Sequence, residues 1–161
     1  MTQEYAESGE FLDIFSRDAW ENLREPVITA LAGAAPAAGP LVDLGAGSGR
    51  GVRVLTGLAS HATVLAVEPS SMQRAALLAR VVDDARLAER VTVVAATAET
   101  VQLPDRLGAV LAINMIGHLR PLDRQALWRR IADRLHPGAP LVLNVQPPAR
   151  ALLVVNPHSR R

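Results

Sequence analysis

The sequence predicts an α/β fold, in which a doubly wound, mostly parallel sheet of about five strands has helices on both faces and is preceded by N-terminal helices. Three observations support this fold class. Short apolar segments alternate with segments of helical periodicity, as they do when parallel strands are joined by crossover helices. The first apolar segment runs into a glycine-rich loop, and the second ends at an acidic residue. Ligands of such sheets bind where the strands end, so both features are placed at a binding edge.

The chain before the sheet has the apolar spacing of helices over residues 8–32. Ser16 is placed to cap a second helix in this region, and Asp18 then lies in the first turn, where the helix dipole favours an anion. The segment AGAAPAAGP, residues 32–40, is rich in helix breakers and connects the helices to the first strand.

Five strands and three helices are then predicted in alternation. The strands are residues 41–44, 63–67, 91–95, 109–113 and 141–145, and the helices are residues 48–58, 70–84 and 122–135. Ser70 and Gln73 have the spacing of a capping box at the start of the second helix. The HPG sequence at 136–138 ends the third helix and leads to the fifth strand.

The composition excludes several kinds of chemistry. At 161 residues the chain has the length of one domain with a single core. No apolar run approaches the roughly 18 residues that span a bilayer, so a cytoplasmic protein without a membrane partner is expected. The absence of cysteine excludes thiolate nucleophiles and cysteine-ligated zinc, and no other metal cluster is evident. All 17 basic residues are arginine, which excludes a phosphate-loop lysine, and a net charge of +1 does not indicate nucleic acid.

The glycine loop LVDLGAGSGRG, residues 41–51, has glycine at every second position from Gly45. A dinucleotide site requires G-x-G-x-x-G, but the sixth position is Arg50 when the pattern starts at Gly45 and Val52 when it starts at Gly47. Such closely spaced glycines form a wider bend that suits a bulky uncharged or cationic group lying against the backbone. Asp43, just before the bend, suits an ammonium.

The second strand ends at Glu68, 23 residues after Gly45. A carboxylate at that tip can accept hydrogen bonds from both hydroxyls of a ribose. The glycines, Asp43 and Glu68 together indicate a nucleoside site that does not grip a phosphate. The alternative is a tight strand–helix turn with two solvated acids.

Four successive motifs resemble those of the class I S-adenosylmethionine-dependent methyltransferases. They are LVDLGAGSGRG, VLAVEPSSM, TAETVQLPD and GAVLAINMIGHL, and the resemblance covers roughly residues 5–147. It implies a single Rossmann-like domain over 1–161, with N-terminal helices and linker (1–39), a cofactor-binding core (40–147) and a short tail (148–161). It also implies S-adenosyl-L-methionine as the cofactor.

The resemblance assigns roles to individual residues of this sequence. It places Glu68 at the ribose. The residues that it places near the methionine moiety are Asp43, Gly45, Ala46, Gly47, Asn114, Met115 and Ile116. Those that it places near the adenine are Pro69, Ser70, Met72, Thr97 and Ala98. Tyr5 is the candidate that closes the site from the N-terminal segment. Where the family often has an acidic residue that bonds the adenine amine, this chain has Thr97, so that contact is expected to be weaker or made by backbone.

The chain departs from the family after Val145. The class usually adds a sixth and a seventh strand, whereas 16 residues remain here, of which ALLVV at 151–155 has the character of one strand. Leu141, Leu143 and Val145 are predicted on one face of the fifth strand and Val142 on the other. An exposed edge of that strand would favour pairing with a second copy, so a homodimer through the fifth strand is a further hypothesis.

The leading functional hypothesis is methyl transfer to a small-molecule acceptor. His118 is the candidate catalytic residue, because a neutral histidine can accept a proton near pH 7. One alternative is a cofactor-binding or protein-interaction module with an incomplete methyltransferase fold and no turnover. A nicotinamide dehydrogenase is a third hypothesis, against which the misplaced third glycine argues.

Overall fold

Short strands alternate with helices in the order that the sequence predicts. The structure is a computed structural model that describes residues 12–145. The strands are β1 (Leu41–Leu44), β2 (Val64–Val67), β3 (Val91–Val94), β4 (Ala109–Ala112) and β5 (Leu141–Leu143). The helices are α1 (Leu12–Ala30), α2 (Arg50–Gly57), α3 (Ser71–Val82), α4 (Ala85–Ala88) and α5 (Pro121–Ala132), with a 3₁₀ helix at Ile116–His118.

The five strands form one sheet in the order β3-β2-β1-β4-β5, and every neighbouring pair is parallel. Leu41 of the central strand is in register with Val64 on one side and with Ala109 on the other. The strand order therefore reverses between β1 and β4, which confirms the predicted doubly wound sheet. The loops that leave these two strands lead to helices on opposite faces of the sheet, and in sheets of this kind the crevice between such loops binds the ligand.

Side chains on the two faces of the sheet belong to two separate hydrophobic clusters. Leu41 of β1 belongs to the first, with buried residues of α1 to α4 such as Val27 and Leu55. Val42, the next residue, belongs to the second, with Leu127 and Ile131 of α5. Successive side chains of a strand point to opposite faces, so the alternation shows that β1 is buried on both faces. Full burial of each such apolar side chain stabilises the folded state by about 1.5–3 kcal/mol.

The structure corrects two details of the N-terminal half. Ser16 lies inside α1, which runs unbroken from Leu12 to Ala30, so the predicted start of a second helix at Ser16 is wrong. The helix predicted from Ser48 begins at Arg50 instead, after Gly49 as the N-cap residue. Gly49 has a φ of 93°, a left-handed conformation that glycine adopts at little cost.

Two further boundaries differ from the prediction. The helix predicted to reach residue 84 ends at Val82, and Asp84 instead caps α4 by accepting a hydrogen bond from the Arg86 N–H at 2.9 Å. α5 ends at Ala132, and Leu135 beyond it forms a parallel bridge with Leu107. Among the helices of residues 12–145, none combines the length and the apolar character needed to cross a bilayer.

Candidate functional site

The glycine loop after β1 takes a conformation that requires glycine at several positions. Gly45, Gly47 and Gly49 have φ values of 71°, 54° and 93°, in the left-handed region. The N–H groups of Gly45 and Ala46 both donate to the Val67 carbonyl oxygen, at 2.9 and 3.0 Å. These bonds bring the loop onto the end of β2 and turn the chain into α2.

The glycines differ in what surrounds them. A Cβ atom at Gly45 would lie 2.8 Å from the Met115 Cβ, and one at Gly49 would lie 2.6 Å from the Leu77 Cδ1. These two glycines are therefore required for packing within the protein. Around Gly47 the nearest such atom is the Gln73 Oε1 at 3.7 Å. A Cβ atom at Gly47 would thus make only ordinary van der Waals contacts, which leaves room for a ligand to approach the backbone.

Asp43 lies beneath the start of α2. Its side chain is 3% exposed, one carboxylate oxygen accepts a hydrogen bond from the Val52 backbone, and the buried Oδ2 has no hydrogen-bond partner within the described residues. Burial, and after it the charge of Glu68, raise the pKa of Asp43, and the Val52 hydrogen bond lowers it, so that the pKa is about 7. This position gives the carboxylate a role in holding the loop. Its predicted contact with a bound ammonium stays a prediction.

Glu68 joins the glycine loop to the tip of β2. Its Oε2 accepts the Gly47 N–H at 2.8 Å, and its Oε1 accepts the Ser70 N–H at 2.7 Å. The side chain is 7% exposed. Because an ionised carboxylate offers about four acceptor positions, the two oxygens can still accept further hydrogen bonds. Ser70 in turn caps α3 by accepting the Gln73 N–H at 3.4 Å, as the sequence predicts.

Two arginines of α3, which the sequence analysis did not identify, hold the same loops from outside. Arg74 donates to the carbonyl oxygens of Glu68 and Pro69 at 2.9 and 2.7 Å. Arg80 donates to the carbonyl oxygen of Ser48 in the glycine loop. An arginine one to three turns into a helix that follows a strand tip is the sequence signal that could have identified them.

The loop after β4 is tied to the end of β5. Asn114 has a φ of 57°, and its N–H donates to the Asn144 Oδ1 at 2.7 Å. In return the Asn144 Nδ2 donates to the Asn114 Oδ1 at 2.6 Å. This reciprocal pair stabilises the left-handed turn that precedes Met115, whose side chain lies against Gly45. Asn144 was not predicted, although an asparagine directly after a strand tip is a recognisable signal.

The predicted site residues gather at the carboxyl edge of the sheet. Asp43 lies near the end of β1, and Met72 lies on α3 with an exposed fraction of 38%. The predicted residues on the loops after β1, β2, β3 and β4 are Gly45, Ala46, Gly47, Glu68, Pro69, Thr97, Ala98, Asn114 and Met115. His118 ends the 3₁₀ helix after β4 and is exposed. Tyr5 lies outside the described residues. No measurement here tests the individual roles, which stay predictions.

Comparison with known proteins identifies the domain. The methyltransferase domain family matches residues 41–138. Among solved structures, the glycopeptide N-methyltransferase MtfA complexed with S-adenosyl-L-methionine is 28% identical, with a TM-score of 0.61, and the match covers 74% of this chain and 51% of that one. The same enzyme complexed with sinefungin is 27% identical, with a TM-score of 0.62, and the match covers 74% of this chain and 51% of that one.

The CcbJ methyltransferase from Streptomyces caelestis has the same fold, with 24% identity and a TM-score of 0.64, over 80% of this chain and 50% of that one. No curated protein sequence matches the chain significantly. The chain spans about half the length of the solved proteins named above. The family match extends from the first residue of β1 to the loop before β5, so it includes the glycine loop, Glu68 and Asn114. The chain belongs to the methyltransferase domain family.

Proposed function

We propose that the chain binds S-adenosyl-L-methionine at the carboxyl ends of β1 to β4 and transfers its methyl group to a small-molecule acceptor. The observation that carries the proposal is the position of Glu68, whose buried carboxylate accepts the N–H groups of Gly47 and Ser70. These bonds hold it at the edge of the crevice with acceptor capacity left for two ribose hydroxyls. MtfA, at 27–28% identity, is solved with S-adenosyl-L-methionine and with sinefungin.

The remaining parts of the cofactor are assigned by strand order. The methionine part is proposed to lie between Gly47 and Asn114, on the loops after the central strands β1 and β4. The adenine is proposed to reach Thr97 and Ala98, since β3 is the neighbour of β2 and the Glu68 N–H donates to the Val94 carbonyl oxygen at 3.1 Å. The three loops thus form one continuous surface for an extended nucleoside ligand.

The proposed reaction asks little covalent chemistry of the protein. The bound sulfonium supplies an activated methyl group, which an acceptor lone pair attacks while the carbon–sulfur bond breaks and the acceptor releases a proton. The protein contributes proximity and alignment, which are worth several kcal/mol in such displacements, on the order of 7–11 kcal/mol at best. His118 lies at the carboxyl edge and is the proposed proton acceptor, whereas His61 and His136 precede β2 and β5 at the opposite edge.

A small organic acceptor is the class that we propose. MtfA is described as a glycopeptide N-methyltransferase, and this description favours an amine of a moderately sized molecule as the methyl acceptor. The net charge of +1 also does not favour a polyanionic acceptor such as nucleic acid.

Calorimetric titration tests the cofactor assignment. The wild-type chain is expected to bind S-adenosylhomocysteine and S-adenosylmethionine but not NAD. Glu68→Ala is expected to weaken binding about 10–100-fold, or about 1.5–3 kcal/mol, because hydrogen bonds to a charged acceptor are lost. Glu89→Ala, an exposed glutamate after α4, is the matched control and should bind like wild type. Unchanged affinity in Glu68→Ala, or binding of NAD in preference, would contradict the proposal.

The second candidate function is binding of the cofactor without turnover. A transfer assay separates the two functions. The protein is incubated with methyl-labelled S-adenosylmethionine and a panel of small amines, phenols and alcohols. Label in any acceptor supports methyl transfer, while tight binding with no label in any of them supports a binding module.

A further inference from the structure

The loop after β3 contains a tight turn that lacks the acidic side chain expected there. The Thr97 carbonyl oxygen accepts the N–H groups of Thr100 and Val101 at 3.2 and 3.0 Å. The Thr97 and Thr100 hydroxyl oxygens are 3.1 Å apart and share a hydrogen bond. The turn is therefore built from backbone and hydroxyl groups, and position 97 offers a ligand amine a hydroxyl group instead of a carboxylate.

Arg130 of α5 holds this turn from one side. Its guanidinium donates to the carbonyl oxygens of Ala98 at 3.2 Å, of Glu99 at 2.8 Å, and of Val101. Three carbonyl oxygens on one guanidinium match the planar, forked donor set of arginine, and a lysine ammonium has no comparable fork. Arg130 forms no ion pair within residues 12–145, so its interaction with the turn is with backbone alone.

The arginine also determines where the turn presents its donors. The Ala98 C=O and the Glu99 N–H belong to one peptide unit, in which the two groups point in opposite directions. Because the Ala98 carbonyl is directed toward Arg130, the Glu99 N–H is directed away from it. Neither the Ala98 nor the Glu99 N–H donates to an acceptor within the described part of the chain. Both N–H groups therefore lack an acceptor among residues 12–145, and they lie on a turn that adjoins Glu68 across the β2–β3 pair, in which Glu99 is exposed and Ala98 is buried.

We propose that Arg130 is a positioning residue for a nucleobase: it holds the turn at Thr97 so that backbone N–H groups and the Thr97 hydroxyl, rather than a carboxylate, recognise the adenine edge. The inference rests on the proposed cofactor. The N–H groups supply donors for the adenine N1, and the Thr97 hydroxyl oxygen supplies an acceptor for the amine. Recognition by backbone needs a rigid turn, because a displacement of the N–H by an ångström weakens such a bond steeply.

The test compares two nucleosides that differ at the base edge. Affinities for S-adenosylhomocysteine and for S-inosylhomocysteine, which has a 6-oxo group and an N1–H, are measured by calorimetry on the full chain. Wild type should prefer S-adenosylhomocysteine. Arg130→Met should weaken its binding about tenfold and abolish most of that preference, with little change for S-inosylhomocysteine. Arg130→Lys should not restore the preference for S-adenosylhomocysteine. Arg129 is an exposed neighbouring arginine, and Arg129→Met should bind both nucleosides with the affinities of wild type.

Each outcome of this test is informative. An unchanged preference in Arg130→Met, or an equal loss of both ligands in step with a lower melting temperature, would overturn the positioning role. Arg130→Lys retains the charge and the alkyl stem, so it provides the comparison if Arg130→Met does not fold. Failure of wild type to bind S-adenosylhomocysteine would instead refute the proposed cofactor, and Glu68→Ala should weaken both nucleosides alike, since both contain the ribose.

Discussion

The Asp43 carboxylate lies directly beneath the Cα atom of Gly51. A Cβ atom at position 51 would be 2.4 Å from the Asp43 Oδ2 and 2.9 Å from the Leu111 Cδ2. The last glycine of the series is therefore explained by a buried acid and by packing on the sheet, not by the approach of a ligand. It differs in this respect from Gly47, where a Cβ atom would make only ordinary van der Waals contacts.

Replacement of Gly51 should destabilise the fold. Gly51→Ala forces a methyl group against the Asp43 Oδ2 and should lower the free energy of unfolding by about 1–3 kcal/mol, as overpacked core positions do. Urea denaturation measures the loss. Gly57→Ala is the matched control in the same helix, because nothing lies within 4 Å of a Cβ at that position, and it should stabilise by about 0.5–1 kcal/mol. Equal effects of the two substitutions would contradict the close contact at Gly51.

The stability of the protein should depend on pH through Asp43. The pKa of Asp43 is about 7 in the folded chain against an ordinary value of 3.8, so the folded state binds more protons between about pH 4 and 7. The free energy of unfolding therefore falls as the pH rises through this range, and the loss is complete above the folded pKa. The side chain of the Asp43→Asn variant cannot ionise, so its free energy of unfolding should not fall in this way. The difference in free energy of unfolding between the variant and wild type should therefore shift by about 2–4 kcal/mol in favour of the variant from pH 4.5 to pH 8. Urea denaturation measures both proteins, and a difference in free energy of unfolding that is the same at both pH values would refute the raised pKa of Asp43.

Gly47→Val should remove cofactor binding while the protein stays folded. Its φ of 54° makes a β-branched residue strained, and the side chain would project into the space proposed for the ligand. Gly138→Val is the matched control, since Gly138 has a φ of 83°, also has open space around it, and lies in the loop before β5 at the other edge of the sheet. Circular dichroism monitors folding and calorimetry monitors binding. Loss of binding in both variants would indicate general strain rather than occupation of the site.

Self-association is expected through β5. Within the described sheet β5 pairs only with β4, and Val145 just beyond it is 73% exposed. Leu141 and Leu143 pack on one cluster and Val142 on the other, which confirms the predicted facing of this strand. Light scattering on the full chain and on a truncation without residues 151–161 should show a concentration-dependent dimer. A monomer at every concentration, with the truncated form equally soluble, would refute it.

The local features of the fold were predictable because they depend on neighbouring residues. The strands are found within one or two residues of their predicted bounds, and Ser70 caps α3 as its spacing with Gln73 indicates. The start at Ser48 was misplaced because Gly49, with its left-handed backbone, is the cap residue and forms no side-chain cap hydrogen bond. A sequence pattern that favours a serine cap has no information about the sign of φ at the next glycine.

The site was predictable only as far as the order of the strands allows. Asp43 and Glu68 lie at adjacent strand tips, so their proximity follows from the parallel fold. The Asn114–Asn144 pair and the bonds from Arg130 to the turn after β3 join residues about thirty positions apart. Which side chain reaches which carbonyl is decided by the angle at which α5 and β5 pack, and no local pattern encodes that angle.

The central place of β1 has a consequence for how the chain folds during synthesis. β1, β2 and β3 follow one another in sequence and can pair as soon as residue 94 has left the ribosome, but the second edge of β1 waits for β4, whose first residue is Ala109. Until then the apolar strand Leu41–Leu44 has an unpaired edge, which is a template for misassociation with other nascent chains. Among the strand pairings, β1–β4 also joins residues with the greatest separation along the chain, so we expect its closure to limit the folding rate.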